Sequence, residues 1–152
     1  MKHVIKNLIF NHLLLVFILA GCSSGTGYHS SYNFPEKQWK RFDSPVMDIE
    51  ISTPGIFYDM FVEIHFDASQ LPKNFPVNVN MYTPSGEIRS RDLILDFTKK
   101  DDGETPGILM IVLRREFAFS DKGICKFEFE NRSTKVNNPG IHRVSIILEK
   151  SQ

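Results

Sequence analysis

Hydrophobic and polar positions alternate along most of this chain beyond residue 34. Met47, Ile49 and Ile51 alternate with Asp48, Glu50 and Ser52. Tyr58, Met60, Val62, Ile64 and Phe66 form one apolar face, opposite Asp59, Phe61, Glu63, His65 and Asp67. The same period of two runs through Val77–Met81, Cys125–Phe129 and Val144–Leu148. Side chains two residues apart share a face only in an extended strand, so each segment predicts a strand with one buried side. Leu93–Phe97 and Ile108–Leu113 alternate less cleanly. The second is apolar on both faces, which predicts a strand in the middle of a sheet. Thr53-Pro54-Gly55, Pro84-Ser85-Gly86, Thr105-Pro106-Gly107 and Asn138-Pro139-Gly140 fall between these runs. Proline presets φ for a turn and glycine accepts the positive φ that follows. No long amphipathic helix interrupts the pattern. The expected fold is an all-β antiparallel β-sandwich, jelly-roll-like, of seven or eight strands, with the phenylalanines supplying its two-layer core.

The first residues follow another pattern. Lys2 and Lys6 precede an apolar run ending in Leu19-Ala20-Gly21-Cys22. Leu13–Leu19 is too short to span a bilayer, which takes about 20 apolar residues. A positive start, a short apolar core and small residues at its end describe a secretory signal peptide over residues 1–21. Leu19–Cys22 resembles a bacterial lipobox, which implies cleavage before Cys22 and attachment of lipid to its thiol. Residues 22–33 are small and polar and predict a lipidated, flexible tether, leaving 34–152 as the domain. No acidic cluster follows Cys22, which favours an anchor in the outer membrane facing the periplasm.

Charge excludes some partners. The chain carries 18 basic and 18 acidic residues, and losing Lys2 and Lys6 tips the balance slightly acidic. Such a surface has no footprint for nucleic acid and no polybasic patch for lipid headgroups. With Cys22 lipidated, Cys125 has no disulfide partner.

The order of features also resembles a known family. "QWKRF" (38–42) is followed by "YDMFVEIHF" (58–66), then "NFPVNVNMYTPSGE" (74–87) and a closing segment from Phe117 to Lys150. Behind a lipobox, these resemble the GldH-like gliding-motility lipoproteins of the Bacteroidetes. The chain departs from the family pattern where Gly123 is followed by Ile124-Cys125 rather than an aromatic residue. The resemblance implies an envelope lipoprotein, accessory to gliding or its associated secretion machinery through protein–protein contacts, with no enzymatic activity and no cofactor.

Candidate chemistry is sparse. Glu63, His65 and Asp67 share a strand face and could approach a metal, though a solvated polar face has the same spacing. Asp101, Asp102 and Glu104 offer oxygens of the kind calcium takes, without EF-hand spacing. Cys125 could be a nucleophile with His65 or His142 as its base, but its apolar face predicts an inert, buried thiol. For partner binding, Trp39 and Arg41 are of the types that dominate interfaces, although a lone Trp in a small domain more often covers its core. Phe61, Tyr82 and Ile147 stand on otherwise polar faces, and contiguity between them would mark a binding patch. The alternative function is a carbohydrate-binding jelly-roll module of an outer-membrane lipoprotein.

Overall fold

The computed structural model describes residues 27–71, 73–100 and 107–152. Eight strands follow in order: β1 (Gly27–Asn33), β2 (Val46–Ile51), β3 (Phe57–Phe66), β4 (Asn74–Tyr82), β5 (Ile88–Asp96), β6 (Gly107–Ala118), β7 (Gly123–Asn131) and β8 (Ile141–Lys150). They form two four-stranded sheets, ordered β1-β8-β3-β6 and β2-β7-β4-β5, with every pairing antiparallel. The ladders β4–β5, β3–β6, β2–β7 and β1–β8 are nested, each pair enclosing the one before it in sequence. A long antiparallel ribbon rolled over itself gives this order, so the sandwich is a jelly roll.

The apolar faces read from the sequence meet between the sheets. Met60, Val62 and Ile64 of β3 and Val144, Ile146 and Leu148 of β8 pack from one side. Phe75, Val77 and Val79 of β4 and Cys125, Phe127 and Phe129 of β7 pack from the other. Every residue of this layer is at most 2% exposed. All the described strands and their core lie between residues 27 and 152, so a chain starting at Ser23 retains the whole sandwich.

Two expectations are corrected. The tether expected over 22–33 gives way at Gly27 to β1, whose whole length pairs with β8 from Gly27 opposite Glu149 to Asn33 opposite Arg143. Its sequence, GYHSSYN, is small and polar because an edge strand needs only one half-buried face; Tyr28 and Tyr32 supply it against the core. The strand containing Ile108–Leu113 is not central. β6 closes its sheet at the edge, with only β3 beside it, and its second apolar face is turned outward.

One end of the sandwich is closed by the segment before β2. Trp39 is fully buried there, stacked on Phe34 at 4.8 Å and tilted against Phe75 at 5.6 Å. Its indole Nε1–H donates to the Asp43 carbonyl at 2.8 Å, and its own carbonyl accepts from the side-chain amides of Asn131 and Asn138. Asn138 is buried and its carbonyl accepts from Trp39 N–H. The chain turns at Gly140, whose φ of 95° suits glycine.

Candidate functional site

The outer face of the β1-β8-β3-β6 sheet carries a contiguous apolar stripe. Register places Ile147 of β8 beside Phe61 of β3, and Phe61 beside Val112 of β6. All three are half-buried. Met110 lies opposite Glu63 and Ile108 opposite His65, extending the stripe along the sheet edge. These two are 49% and 41% exposed. Directly opposed residues on one face stand about 4.5–5.5 Å apart, so the row from Ile147 to Val112 is a single surface. Isolated exposed apolar residues are ordinary, but an aligned group on a polar sheet face is the form an interaction site takes.

Charged groups border the stripe. Glu63 Oε1 accepts from His65 Nε2 at 2.7 Å, and Arg143 reaches both residues, at 3.5 Å from Glu63 Oε1. At the other end, Asp59 holds Arg115 at 2.9 Å and accepts from Glu116 N–H and the Ser151 hydroxyl. The Glu116 amide, then Ser151 and Arg115, hold the Asp59 carboxyl below the usual carboxylate range. An apolar centre with a charged rim is the anatomy of a protein interface.

The residues proposed from sequence fall in different places. Phe61 and Ile147 are neighbours, whereas Tyr82 is on the opposite sheet. Its hydroxyl donates to Glu128 Oε2 at 2.9 Å, and this bond raises its pKa. It belongs to a polar ladder in which Asn78 donates to Asp92 and Asn80 to Glu130. Trp39 has no surface to offer a partner, because it fills the end of the core. Arg41 is exposed, beside the Phe42 ring at 5.9 Å.

Asp67 is not available to join Glu63 and His65. Its carboxylate accepts from Ser69 N–H at 3.0 Å and Ser69 Oγ at 2.7 Å, starting the short turn after β3. These Ser69 bonds lower its pKa. Among the described residues no three His, Cys, Asp or Glu side chains come together to hold a metal. Cys125 has no accessible surface, and burial pushes its thiol up to about 12. It faces the core from the second sheet, while His65 lies on the outside of the first, across a layer about 10 Å thick. Cys22 and Asp101–Glu104 lie outside the described residues. Among the described residues no helix is long and apolar enough to cross a membrane.

No family model and no curated protein matches the chain. Among solved structures, the crystal structure of FlhE aligns over 83% of this chain and 96% of its own, at 11% identity and a TM-score of 0.40. Protein SO0799 from Shewanella oneidensis aligns over 83% of this chain and 68% of its own, at 20% identity and a TM-score of 0.24. Similarities at these scores carry no functional weight.

Proposed function

We propose that the protein is a lipid-anchored component of the cell envelope that works by binding another envelope protein, as an accessory of the kind the GldH-like lipoproteins represent. The observation that carries the binding role is the apolar stripe of Ile147, Phe61, Val112, Met110 and Ile108 on an outer sheet face. The anchoring role rests on the sequence Leu19-Ala20-Gly21-Cys22 behind a short apolar segment. Two or more acyl chains hold a protein at a membrane where one is marginal. Confinement to the periplasmic side of the outer membrane then raises the effective concentration of a membrane partner. A protein ligand is favoured over a glycan because the stripe is mainly aliphatic, with Ile147, Val112, Met110 and Ile108 aligned beside a half-buried Phe61.

The test separates the two parts. Membrane fractionation of wild type against Cys22→Ser reads the anchor; the variant is expected to leave the mature membrane form, and an unchanged mature, membrane-bound Cys22→Ser protein refutes it. A photo-crosslinking residue at Met110 reads the contact. It should trap a discrete partner, and Phe61→Glu should abolish the adduct while leaving the melting curve in place. A centrally buried aromatic is worth about 2 kcal/mol or more to an interface, so retention of the adduct in Phe61→Glu refutes the stripe as the contact.

A further inference from the structure

The two sheets meet differently at their two sides. On one side β1 and β2 close together, with Tyr28 Oη and Ser52 Oγ 2.8 Å apart. On the other side β5 and β6 are both edges, and no described strand spans them. Here the core-facing positions change character. Along β5, Leu95 and Leu93 lie opposite Phe75 and Val77, but the next two inward positions are Arg91 and Arg89, opposite Val79 and Met81. In β6 the register slips twice: Phe61 faces Val112, Met60 faces Arg114 and Tyr58 faces Phe117. Each slip inserts an extra residue in β6, and the second contains Glu116 at φ 50°. Bulges of this kind re-aim side chains, and they are over-represented beside functional sites. Their result is that Arg114 pairs with a core-facing residue, Met60.

A cleft of ≈ 280 Å³ opens between the two edges. Its floor is Met60, Val79, Met81 and Leu113, and four arginines line it without any acidic residue. Two of these charges are spent nearby, Arg89 on Glu87 and Arg115 on Asp59. Arg91 crosses the mouth to donate to the Leu113 carbonyl, and Arg114 lies 5.1 Å from the Phe117 ring. Among the described residues neither is in a close ion pair, and Arg114 acts only through space on Glu87, whose carboxyl Arg89 already holds. Arginines laid over a sheet edge simply to protect it would rest on filled core. These stand around an open cleft whose floor residues, Met60, Val79, Met81 and Leu113, are buried core.

We propose that this cleft binds a single-chain amphiphile, its aliphatic chain on the methionine, valine and leucine floor and its carboxylate or phosphate head between Arg91 and Arg114. The volume sits at the lower limit of small-molecule pockets, roughly 300 Å³, which suits one alkyl chain. Guanidinium groups bind such heads through charge-assisted, often paired hydrogen bonds. The chemistry is the same whether the amphiphile is a free molecule or a lipid of the membrane. The inference rests on neither the anchor nor the outer-face stripe.

Calorimetric titration of the chain from Ser23 tests it, with decyl phosphate, decanoate, decanol and inorganic phosphate as probes below micellar concentrations. Saturable one-to-one binding of decyl phosphate and decanoate is expected, with decanol and inorganic phosphate at least about tenfold weaker. Arg114→Gln should weaken decyl phosphate about tenfold with an unchanged melting curve, and Arg91→Gln should weaken it further in combination. Equal affinity for decanol, equal affinity for inorganic phosphate, undiminished binding by the double variant, or no saturable binding overturns the proposal. Vesicles containing phosphatidylglycerol identify the source once free amphiphile binds. Vesicle binding that decyl phosphate competes away assigns the head to a membrane lipid, and its absence assigns a soluble amphiphile.

Discussion

Trp39 gives the sharpest test of the packing, because burial and partner binding make opposite demands on it. Its side chain is 0% exposed, contacts Phe34 and Phe75, and donates a hydrogen bond to the Asp43 carbonyl. Truncating a buried Trp to alanine costs about 3–5 kcal/mol in lost transfer energy and cavity. Domains of this class are stable by about 5–15 kcal/mol, so Trp39→Ala should remove a large part of the total. At about 3–5 °C per kcal/mol for a chain of this size, the melting temperature should fall by roughly 10–20 °C. Trp39→Phe keeps much of the ring packing and orphans the Asp43 carbonyl, for about 1–2 kcal/mol. Urea and thermal melts followed by far-ultraviolet circular dichroism measure both. Trp39 is the only tryptophan, so the wild type adds a second reading: blue-shifted emission that acrylamide quenches only on unfolding. A Trp39→Ala protein that melts within about 1 kcal/mol of wild type would refute the end-plug and return Trp39 to the surface.

Three further outcomes follow from particular contacts. In the chain from Ser23, Cys125 should not react with Ellman's reagent at pH 8 and should react fully in urea, because burial holds the thiol near pKa 12; prompt reaction of the folded protein would contradict its burial. Asp59 has a depressed folded pKa, so its contribution is present above the unfolded carboxylate value of about 3.9 and is lost as pH falls through the folded value. Asp59→Asn should therefore lower the urea midpoint at pH 7 and flatten the decline below about pH 4; parallel pH profiles for the two proteins would exclude this. Gly140→Ala places a Cβ 2.9 Å from the Asp67 carbonyl at a φ of 95°, and should cost about 1–3 kcal/mol in urea unfolding. An unaltered midpoint would show that the turn relaxes freely.

Where one strand face is buried and the other is wet, the chain announces it, and β2, β3, β4, β7 and β8 are plain in the alternation. β5 and β6 are less clean for identifiable reasons. In β5, arginines occupy half of the inward positions, so Arg89, Arg91, Leu93 and Leu95 do not look like one face. In β6, Ile108, Met110 and Val112 make the outer face apolar as well, and beyond them the two bulges move the parity between Val112 and Phe117. β1 is invisible because its stability comes from a backbone ladder with β8, which side-chain pattern does not encode. Phe61 and Ile147 each stand out as misfits on a polar face, but their adjacency depends on register across strands far apart in sequence. The cleft leaves one sign in the sequence, where Arg89 and Arg91 continue the inward row of Leu93 and Leu95.

The nested pairing also sets an order in time. The β4–β5 ladder spans only the turn between Tyr82 and Ile88, whereas the β1–β8 ladder joins Gly27 to Glu149. The entropic cost of loop closure rises with loop length, and long-range strand pairs form slowly. A chain that emerges N-terminus first can close its hairpin tip early and add β3–β6 and β2–β7 outward from it. β1 has no strand to pair with until β8 (Ile141–Lys150) arrives, because β8 separates it from β3. The C-terminal strand is therefore the clasp of the whole roll, and a chain stopped before residue 141 leaves β1 and one side of β3 unpaired at once.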